Sequence, residues 1–150
     1  MDIVKGPDFI KNAYKSFTFT GAAGFGAIGN CTVFTTTGAV HIVSVDVVVN
    51  TTVTVDGGTG AASLSYGVTN ATTLLGGAAV TANTLTSTNK HWQSATPTAN
   101  GIAQGAAQQD IDISQNIVYA VTSSGTQLVN GGVLEMRIIY YPITAGASLV

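Results

Sequence analysis

Gly24, Gly26 and Gly29 stand at the G-x-G-x-x-G spacing of a dinucleotide-binding turn, behind a short β-like run at residues 17–20, and Asp46 follows near the distance of a ribose-binding acid. That chemistry requires the last glycine to open a helix, whose free N–H groups and positive end hold the pyrophosphate. The following residues argue against it. From Asn30 to Thr37 the chain is rich in β-branched side chains, has no 3.6-residue apolar period and is interrupted at Gly38. The glycines are therefore expected to form a loop where larger residues do not fit, with Asp46 on the polar face of a strand.

The remaining chemistry-bearing residues are few. Cys31, His41 and His91 are the candidates for nucleophile and base, but there is no G-x-S-x-G, and nothing in the sequence brings a nucleophile to a base. His41 shares its strand parity with Val43 and Val45, which points to a packed or sheet-end histidine. Cys31 reads as a small buried apolar residue, and no Cys/His spacing resembles a zinc site. Asp110 and Asp112, two apart on a strand, place both carboxylates on one face, where a calcium ion could bridge them. A solvated strand face is the simpler reading, because hard cations gather more oxygens than a pair supplies. Lys90, His91 and Trp92 lie in a polar stretch and suggest a sugar-stacking or subunit-contact platform. Asn30, Asn50 and Asn70 match the glycosylation sequon, but without a signal peptide they read as incidental. No catalytic set, metal site or cofactor is expected.

Composition narrows the function further. Charged residues are 8% of the chain against roughly 25% in an average domain, while Thr, Ala and Gly supply 59 of 150 residues. A net charge of −2 offers no basic footprint for nucleic acid. The first residues have no apolar core of signal-peptide length, and no apolar run approaches the ~20 residues of a membrane helix, so no membrane partner is expected. So few charges give little protection against self-association, which points to a protein whose surface is covered in an assembly.

Five of the twelve charges, Asp2, Lys5, Asp8, Lys11 and Lys15, fall in the first fifteen residues. Residues 1–15 are therefore read as an N-terminal arm, with Phe9, Ile10, Lys11, Tyr14 and Lys15, together with Trp92, as partner-binding residues. Residues 16–150 are read as one β-sandwich domain. Residues 40–56 alternate, with Val43, Val45, Val47, Val49, Val53 and Val55 on one parity and mostly polar residues on the other. Half-buried strands are also predicted from Leu64 and Tyr66, from Ile111 and Ile113, from Ile117, Tyr119 and Val121, and from Leu134, Met136, Ile138 and Tyr140 opposite Glu135 and Arg137. Hairpin turns with φ > 0 are expected at residues 56–58, 76–77, 124–125 and 130–132. Residues 78–109 read as a long loop with short strands, and 101–109 as a possible site for one helical turn. The pattern predicts an all-β, antiparallel β-sandwich, jelly-roll-like, in which residues 40–56 are long enough to bend between two sheets.

The stretch TVFTTTGAVHIVSVDVVV, followed by GAASLSYGVTNATTLL and closed by GGVLEMRIIYYPITAGASLV, resembles small virion structural proteins of tailed bacteriophages, of the head-decoration or tail-associated β-sandwich type. The resemblance lies in texture and order of elements across most of residues 32–150. It implies a non-enzymatic, often trimeric protein, made in the host cytoplasm and located in the virion, with the major capsid protein or another virion protein as partner. The expected role is capsid decoration; the alternative is a tail or fibre module that recognises host-surface carbohydrate.

Overall fold

Period-2 alternation of apolar and polar residues builds the strands Lys11–Thr18, Val40–Val55 and Val129–Pro142, whereas Ala62–Val68 and Ile117–Ser123 are buried on both faces. A computed structural model describes residues 10–21, 24–76, 79–86, 90–91 and 110–150, with only the backbone of 90–91. Its strands are β1 (Lys11–Thr18), β2 (Gly29–Phe34), β3 (Thr36–Thr37), β4 (Val40–Val55), β5 (Ala62–Val68), β6 (Val80–Thr81), β7 (Lys90–His91), β8 (Ile111–Ile113), β9 (Ile117–Ser123), β10 (Val129–Pro142) and β11 (Ser148–Leu149). A 3-10 turn, Ala82–Thr84, is the one helical element among the described residues. The expected helical turn at 101–109 lies outside them.

The first sheet has the order β1-β10-β4-β7, with β8 also pairing β4; the second has the order β2-β9-β5-β6. A small pair, β11-β3, completes the pattern, and every pairing is antiparallel. The chain crosses repeatedly between the two larger sheets, keeping β5 and β6 in the second and β7 and β8 in the first, and the inner faces of the two sheets form the core. Val45, Val47, Val49, Leu134, Met136 and Ile138 come from the first sheet, and Leu64, Tyr66, Ile117, Tyr119 and Val121 from the second, all buried. Aromatic rings tie β1 to this core: Phe17 stacks on Phe25 at 4.7 Å between centroids and meets Tyr119 edge-on at 4.8 Å.

Several sequence expectations are corrected here. Residues 11–15 are not part of an arm but the first half of β1, paired with residues 136–140 of β10. Their charges conceal this from a composition reading: Lys11 and Lys15 are exposed on an edge strand, a common protection against unwanted strand pairing, while Ala13 and Phe17 are buried. Residues 1–9 lie outside the described residues. β4 does not bend between sheets. It stays beside β10 along its length, and bulges absorb the curvature. One bulge skips Val43, since Ile139 pairs with Ser44 but Tyr140 with Ile42. It reverses the parity of the strand's start, so Val40 and Ile42 are fully buried and Val43 is 37% exposed. β9 is buried on both faces, Val118 and Ala120 included. Residues 130–132 are no hairpin turn but a bulged part of β10, where Gly132 has φ +112° and a Cβ would lie 2.7 Å from Val53 Cα.

The opening glycines form the expected loop. Gly29 begins β2 rather than a helix. Gly26 has φ +112°, its carbonyl accepts a hydrogen bond from Val129 N–H, and a Cβ would lie 2.0 Å from Val129 O. Backbone contact between this loop and β10 leaves no space for a side chain, and the geometry that would hold a pyrophosphate is not formed.

Candidate functional site

On the outside of the first sheet three strands set their polar residues side by side. The ladder places Tyr14 beside Arg137 and Arg137 beside Asp46, Asn12 beside Ile139 and Ile139 beside Ser44, and Ser16 beside Glu135. Glu135 is the hub of this face, with its side chain 16% exposed. Its carboxylate accepts from Arg137 Nη2 at 2.9 Å and also from the Tyr14 phenol and the Asn50 side chain. Those donors, Tyr14 first, hold the Glu135 carboxyl below the usual carboxylate range, while the same bond raises the Tyr14 phenol. The Arg137 guanidinium carbon lies 6.0 Å from the Tyr14 ring centroid. Between these strands runs a groove of about 300 Å3, lined by Asn12, Tyr14, Ser44, Asp46, Arg137 and Ile139 above the Ala13 and Ile138 positions.

Near the start of β4 the Val43 bulge turns His41 to the same outer face, where its ring stacks on Tyr141 at 4.5 Å. His41 pairs across the ladder with Asp112. Its Nδ1–H donates to Asp112 Oδ1 at 2.5 Å and its Nε2–H to Asp110 Oδ1 at 2.8 Å. With carboxylate oxygens facing both nitrogens, the two hydrogen bonds form together only when the ring is doubly protonated, an imidazolium clasped between two carboxylates. Asp110 is held in the left-handed region at φ 64°, and its N–H donates to Ile42 O at 2.8 Å. The expected pair of carboxylates on one strand face is not formed: Asp110 lies outside β8 in this left-handed conformation, and the two aspartates grip opposite sides of the His41 ring instead of converging on an ion. Among the described residues no group of three or more His, Cys, Asp or Glu is placed to hold a metal.

No protein-family model, curated protein or solved structure matches the chain. The predicted partner-binding residues separate on the structure. Tyr14 belongs to the groove; Lys11 and Lys15 lie along the β1 edge; Ile10, 58% exposed, directly precedes it. Phe9 and Trp92 lie outside the described residues, as does the His91 side chain. Cys31 is half-buried, and burial pushes its thiol up against the opposing pull of Lys15, which disfavours a nucleophilic thiolate. Asn30, Asn50 and Asn70 are all exposed. Sequence reasoning put Glu135 and Arg137 on one polar face but missed their union with Tyr14 and Asp46, and missed His41 with its aspartates. The alternation Glu135, Arg137 was the available signal; the identity of the neighbouring strands was not.

The clasp gives a pH dependence of definite sign. The Asp112 hydrogen bond, and after it that of Asp110, raises the His41 pKa above 6.5, against the opposing effect of burial. A raised folded-state pKa means the contribution to stability is fully present below about pH 6.5 and is lost as pH rises through the folded value. Both carboxylates are well exposed, so salt screens the pair and the effect is about 1 kcal/mol, a melting shift of ~2–4 °C. Asp112→Asn is expected to lower the melting temperature by that amount at pH 6 and by less at pH 8.5. Equal losses at both pH values would show that the ring is neutral in the fold.

Proposed function

We propose that the protein is a non-enzymatic virion structural protein, a capsid decoration or cement protein that binds and stabilises a phage head as a homo-oligomer, with a trimer favoured. The observation that carries this reading is the outer face of the first sheet. Tyr14, Val43 and Ile139 are 57%, 37% and 38% exposed there, in a chain with only twelve charged residues. Exposed apolar side chains gathered on one sheet face are what a protein partner covers. The strand order supports reading the sandwich as a jelly roll, since β1, β10, β4, β7 and β8 of one sheet interleave in sequence with β2, β9, β5 and β6 of the other as two Greek keys would. Jelly rolls serve both viral capsids and lectins, so the fold by itself does not choose between them.

The test uses particles that lack the protein. Purified full-length chain is expected to co-sediment with them to a saturating stoichiometry, with electron-microscopy density at junctions between major capsid subunits. Protein left in the supernatant, or density on the tail alone, would remove the decoration role. The second reading, a tail or fibre module that recognises host-surface carbohydrate, is favoured by one observation, the groove across β1, β10 and β4.

A further inference from the structure

We infer that this groove is a binding site for a single neutral sugar ring, held between Tyr14 and Ile139 on its apolar side and Asn12, Ser44, Asp46 and Arg137 on its hydrogen-bonding side. The inference deepens the carbohydrate reading and rests on it for biological role, though not for the chemistry of the site.

The groove's volume, about 300 Å3, is at the small end of the range for small-molecule sites. Its lining alternates in the way a pyranose does. The exposed Tyr14 ring and the Ile139 side chain offer apolar surface to a patch of C–H groups. Around them stand an amide, a hydroxyl, a carboxylate and a guanidinium, from Asn12, Ser44, Asp46 and Arg137. Together these supply donors and acceptors, and every sugar hydroxyl is both.

Charge decides against the other ligand classes. Among the described residues that line the groove or bond its lining, one cation, Arg137, stands against two carboxylates: Glu135 at 2.9 Å from it and Asp46 opposite it on the ladder, while the His41 cluster near the start of β4 does not line the groove. A carboxylate or phosphate ligand would meet an excess of negative charge, and a metal ion would find a guanidinium beside both carboxylates and, among the described residues, no third acidic ligand. A neutral polyhydroxyl ring meets neither obstacle. The site is also preorganised. Glu135 holds the Tyr14 phenol and the Arg137 guanidinium at once, so less rotamer freedom is lost on binding than two free side chains would lose. Glu135 acts here as a positioning residue.

The experiment is an amide-shift titration of the full-length, nitrogen-15-labelled chain with glucose, galactose, mannose and N-acetylglucosamine, and separately with N-acetylneuraminic acid, at millimolar concentrations. At least one neutral sugar is expected to shift amides at Asn12, Tyr14, Ser44, Asp46, Arg137 and Ile139. Asp46→Asn is expected to weaken that sugar by about tenfold without changing the melting curve, because a charge-assisted hydrogen bond to a sugar hydroxyl becomes a weaker neutral one. Glu135→Gln, with the same shape and no charge, is expected to weaken it less. No response to any neutral sugar, a response to N-acetylneuraminic acid alone, or an Asp46→Asn titration equal to wild type would overturn the assignment. Shifts clustered elsewhere would sink the groove while sparing the carbohydrate reading. Binding of the labelled chain to host cells, measured in parallel, tests that reading separately: absent cell binding with intact sugar shifts would refute the role and leave the site.

Discussion

Val47→Asp abolishes folding, while Asp46→Asn leaves a folded protein with an almost unchanged melting temperature: this is the expected pair of results for two neighbours on β4. Val47 is fully buried and lies opposite Met136, also fully buried, between the two sheets. A carboxylate placed there enters the apolar core cluster, opposite the thioether of Met136. Burying an unpaired polar or ionised group costs several kcal/mol, and ~2 kcal/mol of apolar burial is lost as well. The total is comparable with the whole ~5–15 kcal/mol of a domain's stability. Asp46 points the other way, onto the outer face beside Arg137, and an amide occupies its space without burial. Circular dichroism and thermal melts of the two variants check the pair. A folded Val47→Asp protein would show that the inner face of β4 has been misassigned.

Deletion of residues 1–15 is expected to cost far more than deletion of residues 1–9. The longer truncation removes five residues of β1 with their ladder to β10, and with them the buried Ala13 and the Tyr14 donor to Glu135. At ~0.5–1.5 kcal/mol for each hydrogen bond, several lost bonds amount to about 3 kcal/mol before burial is counted. The melting temperature should fall by roughly 10 °C, and what remains of β1 should fray around Phe17. The shorter truncation leaves every described pairing of β1 in place and is expected to shift the melt by only a degree or so. If the decoration role is right, the shorter form also separates attachment from folding. A loss of particle binding with an unchanged melt assigns attachment to residues 1–9; full binding assigns it to the sheet face. Equal melting losses for both truncations would show that stability depends on residues before Ile10 rather than on β1.

The alternation in residues 40–56 and 133–142 determined the strands, the antiparallel sandwich and most of the core, because a period of two leaves a strand only one way to bury its apolar side. Leu134, Met136, Ile138 and Tyr140 are buried, as their parity requires. The break in helical pattern after Gly29 likewise sufficed to reject a dinucleotide site, because that chemistry depends on a local helix. Parity fails wherever a bulge adds a residue. No local signal marks Val43 as the skipped position, and that one irregularity carries His41 from the expected apolar row to the outer face.

Neighbours across a sheet are equally hidden. Tyr14 and Glu135 are 121 positions apart and His41 and Asp112 are 71 apart, so each cluster exists only because the chain returns β10 and β8 to strands made much earlier. The charge-rich start looked like an arm for the same reason. Lys11 and Lys15 are polar whether they sit on a free segment or along a sheet edge, and only the pairing of β1 with β10 distinguishes the two. Local backbone preference and side-chain alternation are written in the sequence, whereas register, bulge position and strand order come from long-range closure of the ladder. That closure brings Asn12, Tyr14, Ser44, Asp46, Arg137 and Ile139 to one groove.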